Sequence, residues 1–257
     1  MKNGLSVAHL EQSVEEVPSV GAGEIPSVAK PKTRVKRLLN VLLIVSVSLV
    51  TLFFVAQLIW RFSGSNQWEL VRDEDGVKIY TLKAPGSGLT KIKGVVRVRS
   101  TLSGLLFFMT DPATCDYYGC KDSYIVERVD DQLFYSNFRV NFPYLFQPRQ
   151  FVTRSQIHQN AQTKEVLLVN SAAPDKLPPN DCCFRVTEMY NTLRFTPLGN
   201  GQVDIEYVLN TNEGGYLPEL LLNTMRPKVV YRVLHGFQKF LDKEKFRNAK
   251  LNFIQEK

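Results

Sequence analysis

With 257 residues, 32 Lys and Arg against 25 Asp and Glu, and a formal net charge of +7, the chain is only modestly basic. Its cations are scattered among acids, with no basic stripe interleaved with aromatics, which argues against nucleic acid as a partner. The cysteines (Cys115, Cys120, Cys182 and Cys183) lack C-x-x-C spacing and the histidines lie far apart in sequence, so no metal or redox cofactor is expected.

Residues 1–38 are polar and poor in aromatics. VPSV at Val17 to Val20 is echoed by IPSV at Ile25 to Val28, too short a duplication to be a structural repeat, and a disordered cytoplasmic tail is expected. From Leu39 to Trp60 the chain carries no charge, and its only polar side chains are Asn40, Ser46, Ser48, Thr51 and Gln57. About 22 residues at about 1.5 Å rise cover about 33 Å, enough to cross a bilayer core of about 30 Å. Lys30, Lys32, Arg34, Lys36 and Arg37 precede the run and only Arg61 follows it, so the positive-inside rule places the N-terminus in the cytoplasm. The run is long, its basic flank starts late and no A-x-A site follows, which predicts an uncleaved signal-anchor rather than a cleaved signal peptide. The remainder is then extracytoplasmic. With no N-x-S/T sequon, it fits the periplasmic face of a bacterial inner membrane. Residues 61–67 (RFSGSNQ) read as a linker reaching at most about 25 Å.

Trp68 opens the globular part. Val77, Ile79 and Thr81 alternate as a strand after the turn at Arg72 to Gly76, and Ile92, Gly94, Val96 and Val98 share a face in a second strand over 90–99. Thr101 is placed to cap a helix through Met109, stopped by Asp111-Pro112. Further strands are expected over 124–129, 132–140, 150–158, 164–170 and 184–195. The turn Leu198-Gly199-Asn200-Gly201 then leads into a strand over 202–210. There Val203, Ile205, Tyr207 and Leu209 share a dry face while Asp204 and Glu206 point away. From Leu217 the period becomes helical, with a stripe of Leu220, Leu221, Met225, Val229, Val233, Phe237 and Phe240. Pro227 is expected to break this helix after Met225, leaving a short mobile lid before a longer packed segment. The fold class is therefore α+β, a large antiparallel sheet around a C-terminal helix, preceded by one transmembrane helix. Cys115 and Cys120 flank a turn-rich stretch that brings them within disulfide reach, whereas the adjacent Cys182 and Cys183 are expected to stay reduced in a buried strand.

Over Trp68 to Phe246 the chain resembles the START family, the steroidogenic acute regulatory protein-related lipid transfer domains, with their helix-grip fold. The resemblance rests on WELVRDEDGVKIY from Trp68, PRQFVTR at Pro148 to Arg154, GGYLP at Gly214 to Pro218, Asp111-Pro112, and the Arg185-bearing strand after the proline loop. It implies a START-like lipid-binding domain over 68–246, followed by a tail over 247–257. Its hydrophobic tunnel would take one lipid or sterol-like ligand under a lid formed by the last helix. Two departures stand out. The family's arginine-aspartate is Arg149-Gln150 here. Arg154 matches an arginine that many sterol-binding members bury opposite a carboxylate, but Ser136 or Asn137 stands in the acid's place. The ligand-binding residues implied are Arg154, Ser136, Asn137, Tyr207, Leu209, Leu220, Leu221, Met225 and Val229.

The function expected is membrane-tethered binding or transfer of one hydrophobic ligand. A ligand sensor signalling to a membrane partner is the alternative. A cyclase-like enzyme is disfavoured because G-x-S-x-G, HExxH and G-x-G-x-x-G are absent and neither His158 nor His235 sits in a catalytic pattern.

Overall fold

The computed structural model describes residues 32–143 and 146–257, and the chain divides into two compact units, one ending at Phe53 and one running from Phe54 to Lys257. The VPSV/IPSV duplication lies outside the described residues. Helix α1 spans Lys32–Phe62, so it begins before the apolar run and takes in part of the expected tail. The reason is local: no Gly or Pro falls between Lys32 and Phe62, and the Lys, Arg and Leu residues of its first turns are good helix formers. From Arg34 to Phe62 the helix is long and apolar enough to cross a membrane. The linker shrinks accordingly to 63–67.

The second unit carries an eleven-stranded sheet. Strands β1 (Trp68–Glu74), β2 (Val77–Leu82) and β3 (Lys91–Arg99) come first. Helices α2 (Leu102–Thr110) and α3 (Cys115–Tyr118), β4 (Cys120–Arg128), β5 (Leu133–Val140), β6 (Arg149–Gln159) and β7 (Val166–Ala172) follow. After the proline loop come β8 (Phe184–Arg185), β9 (Glu188–Gly199), β10 (Gln202–Leu209), β11 (Thr211–Asn212), α4 (Glu219–Phe240) and α5 (Glu244–Arg247). The main path runs β1-β2-β3-β10-β9-β7-β6-β5-β4, with β11 paired to β9 and β8 to β6. All pairs are antiparallel except β6 with β8. Where one strand is expected over 184–195, there are two, separated at Val186-Thr187.

Alternation decides which side chains face α4. On β10 Val203, Ile205, Tyr207 and Leu209 are buried as their parity predicts. Helix α4 packs over β2, β3 and β10. Its buried residues Leu222, Arg226, Val230, Val233, Leu234 and Phe237 include a charged one. The closest approach falls at Gly94, where an added Cβ would stand 2.4 Å from Leu234 Cδ1 and 2.5 Å from Val230 Cγ1. Gly94→Ala should therefore overpack this seam and cost about 1–3 kcal/mol in chemical denaturation. An unchanged midpoint would mean that α4 stands further from β3 in solution.

Two sequence expectations are corrected. Helix α4 runs unbroken through Pro227. Side chains hold it on both sides of the proline: Asn223 bonds Gly88 and Thr90 before it, and Val230 and Leu234 pack on β3 after it. The last residues are also not a tail. Ile254 is buried in the core, and the Glu256 carboxylate accepts hydrogen bonds from the Leu102 and Ser103 amides (2.8 and 2.9 Å) at the start of α2, where a negative charge favours the helix dipole. Thr101 caps the same helix through Gly104 N, as its position predicts.

Candidate functional site

The sheet's inner face has two unlike halves. Under β2, β3 and β10 it is filled by Val77, Ile79, Ile92, Val96, Val203 and Ile205 against Val230, Leu234 and Phe237. Across β5, β6, β7 and β9 the same face carries Ser136, Thr153, Ser155, Asn170 and Asn191, whose short side chains cannot fill the space to the helix. A cavity of about 350 Å³ remains there, at the small end of the range for ligand pockets. Phe134, Phe138, Leu168, Leu193 and Tyr207 are among the other residues of its sheet wall, and Met225, Lys228, Val229, Arg232 and Val233 line it from α4.

Exposed lining residues mark the mouth: Gly119, Asn141, Lys228, Val229 and Arg232. Arg232 leans across to Gly119. The Cys115–Cys120 disulfide borders this opening and ties α3 to the start of β4, as the spacing predicts. Cys182 and Cys183 are bonded to each other rather than reduced, because they fall in bends at the end of the proline loop and not in a strand.

The charged lining residues, Asp111, Lys228 and Arg232, belong to α4 and the segment after α2 rather than to the sheet wall. The wall's polar side chains pair among themselves in part. Ser136 and Thr153 hydroxyls are 2.8 Å apart, and Ser155 Oγ donates to Asn170 Oδ1 at 2.7 Å. Burial, and secondarily the Glu213 charge, push the Tyr207 phenol well above its ordinary pKa, so it is a proton donor throughout the physiological range.

Of the residues implied from sequence, the cavity brings together Ser136, Tyr207, Met225 and Val229. It does not include the others. Leu209 is buried in the adjoining core, while Leu220, 69% exposed, and Leu221 lie outside the lining. Arg154 and Asn137 point to the opposite face. Parity requires this: Thr153, Ser155 and Ile157 take the inner positions of β6, so Arg154 lies half-buried on the outside, across from Tyr135 and Ser171. Asn137 is buried on that outer side, accepting from Gln150 Nε2 at 2.7 Å and donating to Asp122 O.

The same network accounts for glutamine following Arg149. Gln150 Oε1 accepts from Arg185 Nε and Nη2 (3.0 and 2.8 Å), while its amide donates to Asn137. An aspartate would supply the acceptor and lose the donor. Arg149 donates to the backbone of Gln147, Glu213 and Gly214, and burial lowers its pKa.

A buried arginine paired with an acid does occur in the domain, at Arg226. It pairs with Glu213 through Nε at 3.1 Å and through Nη2, and it donates to Thr90 O and Thr211 O. The pair clamps α4 to the segment after β11. The small polar residues Thr153, Ser155, Asn170 and Asn191 were also missed, although polar residues at inward parity in otherwise apolar strands are a readable sign of a cavity.

The sequence signature of the START domain matches residues 118–246. An uncharacterised protein of Pseudomonas aeruginosa is 23% identical over 182 residues, covering 70% of this chain and 89% of that protein. Among solved structures, a STAR-related lipid transfer protein fragment from Xanthomonas axonopodis superposes with a TM-score of 0.63 at 20% identity, covering 68% of this chain and 99% of that one. Human StAR-related lipid transfer protein 5 gives a TM-score of 0.57 at 17% identity, covering 76% and 95%. These structural likenesses establish a common fold.

Proposed function

This chain belongs to the START domain family, and on that premise we propose that it is a membrane-tethered protein that binds one lipid or similar hydrophobic molecule in the cavity beneath α4. The observation that carries this reading is the division of the inner face. One half is closed by large apolar side chains, while the other is lined by residues too small to fill it, leaving an apolar space with a few polar groups. Among the described lining residues the one carboxylate, Asp111, is occupied by Lys245 and by the Ala113 amide, and both cysteines are bridged. That inventory suits recognition better than catalysis.

The tether follows from α1. Its apolar length and the basic residues Arg34, Lys36 and Arg37 at its start favour a cytoplasmic N-terminus with the domain on the far side. Disulfides among the described cysteines accord with an oxidising compartment. Residues 63–67 reach at most about 18 Å, so the domain exchanges ligand with its own membrane or with a partner beside it. The ligand passes the mouth at Val229 and Arg232. Helix α4 gates it by small displacements as one piece, since the clamp at Arg226 opposes a hinge at Pro227.

Native mass spectrometry of the full-length protein should show one co-purifying lipid, and an empty protein that takes up none would overturn the reading. For the tether, full-length protein with a protease site inserted in 63–67 is reconstituted in donor vesicles. Cleavage should speed delivery to separate acceptor vesicles about tenfold or more. Equal rates before and after cleavage would remove the tether from the mechanism.

A further inference from the structure

A second, polar cleft of about 600 Å³ lies outside the cavity beneath α4 and meets the foot of α1. Hydrogen bonds fix its place in the fold. Trp60 and Arg61, in the part of α1 that belongs to the second unit, are held by the loop between β2 and β3. Trp60 Nε1 donates to Gly88 O at 3.2 Å, Arg61 Nε to Gly86 O at 3.3 Å, and the Gly86 amide to Arg61 O at 2.9 Å. Lys83 closes the same joint by donating to the Arg61, Ser63 and Ser87 carbonyls. A tryptophan at the end of a membrane span sits at the level of the lipid headgroups. Gly86 and Gly88, and the cleft they border, are therefore at that level too.

Four charged side chains of the lining are left for a ligand: Arg61, Lys91, Glu188 and Glu219. Two carry each sign, yet none makes an ion pair among the described residues. Arg61 uses only Nε, on Gly86, and Glu188 takes only the Asn212 amide at 3.0 Å. Glu219 acts on Lys83 at longer range. The remaining charge in the lining, Arg226, is already paired with Glu213. Opposite charges that share a cleft without meeting across it match a ligand that carries both signs in turn.

The lining also selects the kind of zwitterion. Its two carboxylates oppose a purely anionic headgroup as its two cations attract one. A quaternary ammonium has no N–H for a carboxylate and is recognised on aromatic faces, whereas Tyr190 is the one aromatic side chain among the described lining residues. A primary ammonium donates three hydrogen bonds. We propose that this cleft is a headgroup site for a membrane phospholipid of the phosphoethanolamine class, with the phosphate against Arg61 and Lys91 and the ammonium against Glu188 and Glu219. Unlike the ligand of the cavity, this lipid stays in the bilayer, and its site rests only on the reading of α1 as a membrane span. Contacts this open to water are individually weak, but the lipids around α1 are present at high effective concentration. Lys91, Glu188 and Glu219 are the first residues of β3, β9 and α4, so the headgroup joins three elements of the domain to the membrane surface beside α1.

The test uses full-length protein in nanodiscs of equimolar dioleoyl phosphatidylethanolamine, phosphatidylcholine and phosphatidylglycerol. Tyr190, which lines the cleft and is 56% exposed, is replaced by the photocrosslinker p-benzoylphenylalanine, and the lipid captured on irradiation is identified by mass spectrometry. Phosphatidylethanolamine should exceed each of the others about fivefold or more. Glu188→Gln removes the charge and keeps an acceptor for Asn212, and it should erase the preference over phosphatidylglycerol. Lys91→Glu should lower the ethanolamine crosslink about fivefold. Both side chains are exposed, and near-ultraviolet dichroism checks the fold. Ser136→Trp, which fills the cavity beneath α4, should leave yield and preference unchanged, because Ser136 lines the cavity and not this cleft. Crosslinks in the bulk ratio, a preference for either other lipid, or indifference to Glu188→Gln or Lys91→Glu in a folded protein would overturn the headgroup site and leave the tether and the cavity standing. Loss of crosslinks in a folded Ser136→Trp protein would assign the lipid to the cavity and overturn the site likewise. A protein that fails to enter nanodiscs would overturn the tether and this site together.

Discussion

Glu213→Ala should destabilise the domain by about 3–5 kcal/mol, because it leaves the Arg226 guanidinium buried without a counter-charge. The two side chains are 4% and 8% exposed in the pair. Arg226 would keep its bonds to the Thr90 and Thr211 carbonyls, but neutral acceptors replace only part of what a carboxylate supplies. The damage should centre on the start of α4. Arg226 joins three segments there: the loop before β3, the segment after β11 and the helix itself. Asn223, three residues earlier, reinforces the first of these links through Thr90 and Gly88. Urea denaturation of the full-length protein in micelles, followed by near-ultraviolet dichroism, measures the loss. Glu213→Gln should fall between the two proteins. The double variant Glu213→Leu/Arg226→Met should recover much of the stability, since a well-packed apolar pair often matches a buried ion pair. A loss below about 1 kcal/mol in Glu213→Ala would place the pair in water, as exposed ion pairs contribute no more than that.

This ion pair also shows where the sequence could be read and where it could not. The helical stripe from Leu217 is real, but its phase is two-sided. Met225, Val229 and Val233 face the cavity, while Leu222, Val230, Leu234 and Phe237 face the core. A charged residue at a core position hid the second face, because a buried arginine is legible only once its acid is known. Glu213 stands thirteen residues away, behind two glycines and a turn. Strands fared better where both parities were written plainly, as in β10 and β3, whose alternation predicts their buried residues.

On β6 the difficulty was different. The run Thr153-Arg154-Ser155 is polar on both faces, so composition alone does not orient it, and the resemblance pointed to the arginine. Its apolar neighbours Phe151 and Ile157 settle the parity, and the same logic puts Asn170 and Asn191 inside. The two halves of the inner face therefore differ in sequence by side-chain size and polarity, not by strand pattern. A curved sheet with a helix across it had no rule for filled or hollow until those small inward residues were placed opposite α4.

A direct consequence is that filling the cavity from Ser136 should abolish ligand binding while leaving the fold intact. Ser136 faces the space from β5, across from Ile125 on one side and Thr153 on the other, with Phe134 and Phe138 along its own strand. In Ser136→Trp the indole has apolar walls to meet and about 350 Å³ to occupy. It gains dispersion contacts that an empty space cannot supply. The substitution forfeits the Ser136–Thr153 hydroxyl pair, a cost of about 1 kcal/mol that cavity filling offsets. The thermal midpoint should thus stay within a few degrees of the starting protein, while lipid occupancy by native mass spectrometry falls about 100-fold or more, because the ligand must now displace a packed side chain. Ser136→Ala separates the two effects, since it loses the hydroxyl pair and keeps the space, and its occupancy should change less than about threefold. Arg154→Leu supplies the opposite control. That side chain lies on the outer face, so its removal should leave occupancy unchanged, whereas an arginine holding a ligand headgroup would lose most of the binding when replaced. If Arg154→Leu empties the protein and a folded Ser136→Trp does not, the ligand lies on the other side of the sheet.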